Sequence, residues 1–272
     1  MIRIITDSTC DLPIRDLEQD GVSVLSLTVQ FGQEQYKDKR ELSNEDCYEK
    51  LKKSEVLPTT SLLNPQDFLE CFEQYPEDEL VVVTLSGELS GTYQSACIAT
   101  QTLDRDNIYI IDSKSTSIGL GLLVQKAIQH RKEVNNAREL ADILTKERDN
   151  IRIVAVIDTL EYLIKGGRLG KTAGALGKVL QLKPVITLEE GKIIVIGKHR
   201  GMKRAMNEIL FMFERDLEHM DSVVLFAHSN DLSAGIQLQT LLTHEGQQHC
   251  IGSVVGTHTG PGAVAVAYLL KG

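Results

Sequence analysis

Residues 81–96 have the sequence Val-Val-Val-Thr-Leu-Ser-Gly-Glu-Leu-Ser-Gly-Thr-Tyr-Gln-Ser-Ala. The β-branched run at residues 81–84 predicts a strand buried on both faces, and Gly87 and Gly91 then allow a tight turn into a helix. Ser90 is the predicted N-cap of that helix. The free backbone N–H groups of a helix N-terminus, with hydroxyls beside them, favour an anion, but a plain turn and helix cap explain the same residues. The choice between these two interpretations depends on the rest of the chain.

The composition is that of a globular protein, with 272 residues, 42% of them hydrophobic, and a formal net charge of −9. This length allows a large core, in one large domain or two modest ones. The acidic balance argues against nucleic-acid binding, because neutralising phosphates needs clustered Lys and Arg. No apolar stretch approaches the ~18 residues of a membrane span, so we expect no integral membrane contact. The five scattered cysteines form no Cys-x-x-Cys pair and indicate reduced thiols in a cytoplasmic protein.

Three predicted strands in the first half of the chain, at residues 2–6, 81–84 and 108–111, end in polar loops that lead into helices. Strands that alternate with helices predict a parallel sheet, and such sheets bind ligands in a crevice at the carboxyl ends of their strands. The polar loops that fall at this edge are those at Asp7, Ser86 and Asp112.

Between the first two of these strands, the alternating apolar residues at 22–31 predict one strand, and residues 57–63 predict a polar loop. Asn64 is the predicted N-cap of the helix that follows this loop. Because that helix needs no cap from the loop, Thr60 and Ser61 are free to bind a ligand, although ordinary loop polarity explains them equally well.

The second half of the chain repeats the α/β pattern, and we place the domain boundary between residues 149 and 150. The predicted domains are therefore residues 1–149 and residues 150–272. In the second domain, residues 185–197 predict an antiparallel hairpin. We expect the last strand at residues 251–255 and a C-terminal helix at residues 263–270.

Two basic segments stand out in this acidic chain, Lys-Gly-Gly-Arg-Leu-Gly-Lys at residues 165–171 and Gly-Lys-His-Arg-Gly-Met-Lys-Arg at residues 197–204. The paired glycines predict a close approach of the backbone with positive charge beside it. The segment is not a phosphate-binding loop, because the pattern G-x-x-x-x-G-K-[ST] is missing. An anionic partner and a solvated surface both explain the charges.

His258, which lies between two threonines, is either a ligand contact or a structural histidine.

Taken together, five motifs resemble the DegV family, in the same order and across nearly the whole chain. The resemblance implies a two-domain DegV-like (EDD) α/β fold, with an N-terminal parallel-sheet domain and a second α/β domain that has a mixed sheet. It also implies a long-chain fatty acid bound between the domains, with its tail in the N-terminal one. The motifs are Asp-Ser-Thr-Cys-Asp-Leu-Pro at 7–13, Thr-Thr-Ser at 59–61, Leu-Ser-Gly-Thr-Tyr-Gln-Ser-Ala at 89–96, Gly-Gly-Arg at 166–168 and Thr-His-Thr-Gly-Pro-Gly at 257–262.

Members of that family with an assigned role are the lipid-binding subunit of bacterial fatty acid kinase. They present the acyl carboxylate to a separate ATP-binding subunit, which makes an acyl phosphate. The resemblance thus implies a binding protein without catalytic residues or a resident cofactor, whose partners are the fatty acid and the kinase subunit.

The resemblance also assigns residues to three roles. The carboxylate contacts are Thr60, Ser61, Ser86, Gly87, Ser90 and His258. The residues beside the acyl tail are Leu27, Val29 and Ile118, and the residues that face the kinase partner are Arg168, Lys171, Arg200 and Lys203. The chain departs from the family pattern at Gly87, where a second serine is usual, and at Leu62-Leu63, where Gln-Pro is usual.

Two other classes of function stay open. The chain could be an autonomous phosphotransferase or hydrolase that uses Asp7 as its nucleophile, but the haloacid-dehalogenase pattern Asp-x-Asp has Thr9 at its second position. It could also be a regulatory or interaction module in which a lipid is only structural.

Overall fold

We describe the fold from a computed structural model, which describes residues 1–103, 105–169 and 182–271. The strands are β1 (Ile2–Asp7), β2 (Val22–Leu25), β3 (Thr28–Phe31), β4 (Glu34–Lys37), β5 (Thr59–Ser61), β6 (Glu79–Thr84), β7 (Ile108–Asp112), β8 (Ile151–Val156), β9 (Leu182–Glu189), β10 (Lys192–Arg200), β11 (Met220–His228), β12 (Gln247–Cys250) and β13 (Val264–Leu270). The helices are α1 (Ile14–Gln19), α2 (Asn44–Lys53), α3 (Pro65–Glu73), α4 (Thr92–Thr102), α5 (Ser117–His130), α6 (Ala137–Glu147), α7 (Glu161–Lys165), α8 (Met202–Asp216), α9 (Leu232–Leu242) and α10 (Ser253–Thr259).

The first large sheet is parallel throughout and has the strand order β2-β1-β6-β7. Its inner strand β6 contains Val81, Val82 and Val83, and all three side chains are fully buried. A strand that is covered on both faces accommodates a continuous β-branched run without alternation. The buried strand predicted from this run is confirmed.

The second large sheet is mixed, with the order β10-β9-β8-β13-β11-β12. Its neighbouring strands are antiparallel except for the pair β11 and β12. The predicted fold class, a parallel sheet followed by a second α/β unit with a mixed sheet, is confirmed. We refer to residues 1–149 as the N-terminal half and to residues 150–272 as the C-terminal half; as domain limits, these bounds stay a prediction.

Helix α5 packs against both large sheets. Its residues Leu120 and Leu122 are fully buried, in a hydrophobic core that also contains Val81 of the parallel sheet and Ala265 of the mixed sheet. A Cβ atom at Gly121 of this helix would lie 2.5 Å from the Cys10 carbonyl oxygen. Glycine therefore allows the helix and the loop after β1 to approach closely.

The single strand predicted at residues 22–31 is wrong. The structure has β2 in the parallel sheet and β3 in a small antiparallel sheet of order β4-β3-β5. The burial pattern explains the break, because the buried side chains change phase between Val24 and Leu27. A change of phase moves the apolar set to the other face of an extended chain, so one strand could not bury both parts.

The polar loop predicted at residues 57–63 is also wrong in part, because it contains β5, which pairs with β3. The helix after it begins as predicted. Asn64 accepts a hydrogen bond from the Asp67 N–H, and the Asp67 carboxylate accepts one from the Asn64 N–H, which together form a capping box.

The predicted hairpin is confirmed by β9 and β10, whose turn residues Glu190 and Gly191 have φ values of 46° and 79°.

The order of the last two elements was predicted wrongly. Residues 253–255 of the strand expected at residues 251–255 form the start of α10, and the expected C-terminal helix at residues 263–270 is β13. In β13, Val264 and Val266 pack into one core, whereas Ala265 and Ala267 pack into another. This alternation with period two is typical of a strand, whereas the alanines of residues 263–267 favour a helix by propensity. In the described part of the chain, no helix combines the length and the hydropathy of a membrane span.

Candidate functional site

A cavity lies between the two halves of the chain, next to the carboxyl ends of β1 and β6. Much of its wall is apolar, and polar groups from both halves complete it. The apolar lining includes Leu27, Leu85, Leu89, Leu163, Val254 and Val255, and the polar lining includes Thr60, Ser90, Arg168 and His258. The crevice predicted at the strand ends is therefore a real cavity, and the C-terminal half closes it.

Thr60 and His258 meet across the two halves. The Thr60 hydroxyl oxygen and the His258 Nε2 atom are 2.9 Å apart, although the residues are 198 positions apart in sequence. Thr60 lies in β5, which pairs with β3, and successive side chains of a strand point to opposite faces. Thr59 and Ser61 are therefore exposed, whereas Thr60 is half-buried. The structure thus brings together the two residues named from separate motifs.

His258 is uncharged near neutral pH. Burial, together with the nearby Arg168 charge, lowers the pKa of His258 to about 4. Its Nδ1 atom is buried and has no hydrogen-bond partner among the described residues. A neutral imidazole with one hydrogen-bonded nitrogen can act as a donor or an acceptor toward a ligand without adding charge.

Arg168 supplies the positive charge of the cavity wall. Its Nε donates to the Leu89 carbonyl oxygen at 3.2 Å, and its Nη1 donates to the Gly166 carbonyl oxygen. No carboxylate pairs with it within the described ranges, and burial lowers the pKa of its guanidinium. An anionic group in the cavity would offset this unneutralised, half-buried charge.

Ser86 and Gly87 face another part of the protein. The Ser86 hydroxyl donates to the Gly191 carbonyl oxygen at 2.8 Å, at the tip of the β9–β10 hairpin. The Gly87 N–H donates to the Asp112 carboxylate at 3.2 Å. A Cβ atom at Gly87 would lie 3.1 Å from Asp112 Oδ2 and 3.3 Å from the Tyr93 ring, so glycine leaves room for both neighbours. Neither residue lines the cavity.

Ser90 lines the cavity, but it is not the N-cap of α4, and that prediction is wrong. The N-cap residue is Gly91, which has no side chain to accept a hydrogen bond. The Ser90 hydroxyl instead accepts a bond from the Thr92 N–H at 3.3 Å and lies 3.0 Å from the Thr92 hydroxyl. The helix therefore begins one residue later than its sequence signal indicates.

Of the three residues expected beside the acyl tail, only Leu27 lines the cavity. Val29 is fully buried in a core with Phe68 and Phe72, and Ile118 is fully buried in the core around α5. The apolar lining residues that the sequence did not assign to the tail are Leu62, Leu85, Leu89, Leu163, Ile193, Val254 and Val255. The two valines lie in the segment whose secondary structure was predicted wrongly.

The basic residues expected to face a partner occupy different environments. Arg168 is in the cavity wall, whereas Arg200 and Lys203 are exposed near the start of α8. Neither Arg200 nor Lys203 forms a salt bridge with any described residue. Lys171 lies outside the described residues.

Asp7, the nucleophile of the alternative enzymatic function, is a buried hydrogen-bond acceptor. It accepts bonds from the N–H and the hydroxyl of Thr9, at 3.0 and 2.6 Å, and from the Leu85 N–H at 2.7 Å. Burial raises the pKa of this carboxyl. These bonds connect the ends of β1 and β6 and occupy both carboxylate oxygens, which is the environment of a structural residue.

Comparison with known proteins gives one family. The profile of the DegV family, described as one of uncharacterised proteins, matches residues 1–271. A DegV domain-containing protein from Clostridium acetobutylicum is 32% identical over 275 residues, which are 99% of each chain. A DegV family protein from Thermus thermophilus, described by its fatty acid binding, has a TM-score of 0.90, 32% identity and 99% coverage of each chain. A stearic acid-binding protein from Eubacterium ventriosum has a TM-score of 0.90 and 27% identity, and the match covers 100% of this chain and 99% of that one.

Proposed function

The chain belongs to the DegV family, and we propose that it binds a long-chain fatty acid in the cavity between its two halves. The carboxylate lies beside Thr60, Arg168 and His258, and the tail extends along the apolar lining. The observation that carries this proposal is an unneutralised, half-buried guanidinium next to a neutral Thr60–His258 pair in a largely apolar cavity. An amphiphile with one negative charge matches these groups.

The tail supplies most of the binding energy. Burying ~14 methylene groups at ~0.8 kcal/mol each gives ~11 kcal/mol before the costs of association. The head group contributes less and mainly sets the orientation of the ligand. Removing single polar contacts should therefore weaken binding without abolishing it.

For the biological role, we propose that the chain acts in the cytoplasm and presents the acyl carboxylate to a separate ATP-binding kinase subunit. The support is the family resemblance together with the exposed cations Arg200 and Lys203, which are free to attract an acidic partner. The chain itself does not phosphorylate the lipid. Turnover of ATP by this chain without any partner would contradict this role.

The lipid proposal is tested by extracting the purified protein with organic solvent and measuring stoichiometric fatty acid by mass spectrometry. The double variant Thr60→Val with His258→Ala should fold and should bind fatty acid more weakly. Thr240→Val with His244→Ala is the matched control, because it changes the same residue types in and after α9, outside the cavity lining. Equal affinity of the two double variants would contradict the carboxylate placement.

The partner proposal is tested by comparing two double variants, each of which removes a pair of exposed cations. Arg200→Ala with Lys203→Ala should retain lipid but slow acyl phosphate formation in a reconstituted system, most strongly at low salt. Arg138→Ala with Lys146→Ala removes two exposed cations of α6 and is the control. Fatty acid retention without any acyl phosphate formation would favour the alternative, an interaction module with a structural lipid.

A further inference from the structure

Helix α10 carries the part of the cavity wall that contains Val254, Val255 and His258. Although it belongs to the C-terminal half, its first residues are held by carboxylates of the N-terminal half. The Gly252 N–H donates to Asp11 Oδ1 at 2.8 Å. The side chains that hold α10 are therefore remote in sequence from the helix.

A second carboxylate holds the next residue. The Ser253 N–H donates to Asp38 Oδ1 at 3.2 Å, and the Asp38 side chain is fully buried. Two residues before α10 begins, the Tyr48 hydroxyl donates to the Ile251 carbonyl oxygen at 3.1 Å. These bonds leave the start of α10 little freedom to rotate or shift.

A buried lysine pairs with the first carboxylate, and its charge also acts on the pKa of Asp38. Lys39 Nζ lies 3.2 Å from Asp11 Oδ1, and the two side chains are only 11% and 0% exposed. The Ser117 hydroxyl donates to the other Asp11 oxygen at 2.6 Å. A Cβ atom at Gly252 would lie 2.6 Å from Asp11 Oδ1 and 2.9 Å from Lys39 Cε, so the helix start is packed directly against the ion pair.

The backbone of this cluster is strained. Asp11, Lys39 and Ser117 have φ values of 46°, 61° and 53°, which place all three in the left-handed region. Such a conformation is unfavourable for a non-glycine residue, and it persists only where the surrounding structure holds it. Asp11 contacts both of the other strained residues, which indicates that the fold maintains this arrangement at the expense of stability.

We propose that Asp11, Asp38 and Lys39 are positioning residues of the lipid site, which fix α10 and through it the contact of His258 with Thr60. None of the three residues lines the cavity, so they act through the helix. This inference rests on the proposed function.

The test uses Asp38→Asn, which keeps the size and one oxygen acceptor but removes the charge, and Lys39→Met, which keeps an apolar stem of similar length. Affinity for a fluorescent fatty acid should fall by about tenfold in both, a difference of about 1.4 kcal/mol. The ¹⁵N signals of the His258 ring should shift in the lipid-free protein. The assays are run at about pH 8, because burial raises the pKa of Asp38 to about 6 and the wild-type carboxylate is ionised there.

Asp216→Asn is the matched control. Asp216 is also a buried carboxylate, and it accepts a hydrogen bond from the Tyr268 hydroxyl at 3.0 Å, but it does not line the cavity. This control should lower the free energy of unfolding and leave both the affinity and the His258 signals unchanged.

The outcomes distinguish this inference from the proposed function. If the wild-type protein binds no fatty acid, the proposed function fails. If it does bind, and the two cluster variants match it in affinity and in His258 signals, the positioning role is overturned. Should Asp38→Asn fail to fold, Lys39→Met decides the question by the same two measurements.

Discussion

The substitution Gly166→Ala should break the contact between His258 and Thr60 without replacing either residue. Gly166 ends α7 with a φ of −73°, a conformation that alanine adopts freely. A Cβ atom there would lie 2.3 Å from His258 Nδ1 and 3.1 Å from its Cε1. Non-bonded heavy atoms need roughly 3.5 Å, so the imidazole must retreat by about 1 Å.

That displacement is enough to remove a hydrogen bond. The Thr60 hydroxyl and His258 Nε2 are 2.9 Å apart, and a ring displacement of about 1 Å is incompatible with this bond in either direction, because the two atoms become too distant or too close. A hydrogen bond of this kind contributes about 0.5–1.5 kcal/mol. The affinity for fatty acid should therefore fall by about two- to tenfold, and the ring signals of His258 should move.

The assay is a titration with a fluorescent fatty acid, together with ¹⁵N spectra of the histidine rings and thermal unfolding. Gly197→Ala is the control, because its Cβ would lie 2.9 Å from Nε2 of His199, a histidine outside the cavity lining. Both variants crowd an imidazole, but only Gly166→Ala should weaken lipid binding. Full affinity in Gly166→Ala, with displaced His258 signals, would refute a role for the Thr60–His258 contact in holding the ligand.

Three further predictions concern the hairpin contact, a titration and a helix cap. Ser86→Ala removes the hydrogen-bond donor to the Gly191 carbonyl oxygen, so hydrogen exchange of the backbone amides at the hairpin tip should become faster, while lipid affinity is retained. Lost affinity with unchanged amide exchange would mean instead that the Ser86 hydroxyl binds the fatty acid carboxylate. Because the pKa of His258 is lowered to about 4 in the folded protein, the unfolded chain binds the proton first as the pH falls. The free energy of unfolding should therefore decrease between about pH 6.5 and pH 4, and it should decrease less in His258→Asn. An NMR titration of His258 with its midpoint near pH 6.5 would contradict this prediction. Asn64→Ala should lower the free energy of unfolding by about 1 kcal/mol in denaturant titrations, since it removes the capping box of α3, and an unchanged midpoint would show that the cap contributes nothing.

Several features of the fold were predictable from local sequence because local physics decides them. The buried run in β6, the Asn64 cap and the turn at Glu190-Gly191 each depend on side chains or backbone preferences within a few residues. Alternation of strands and helices was enough to predict a parallel sheet and a crevice at its strand ends. The motif order identified the family.

The composition of the site was decided only by the tertiary structure. Arg168 is in the cavity wall because the Leu89 carbonyl of the other half accepts its hydrogen bond, and Ser86 turns away because the hairpin tip offers Gly191. Residues 251–255 include the β-branched Ile251, Val254 and Val255, yet residues 253–255 form the start of α10, because carboxylates more than 200 positions away accept hydrogen bonds from the N–H groups of Gly252 and Ser253. Local sequence does not encode such partners, since the free energy that selects each conformation comes from contacts that exist only once both halves have folded together.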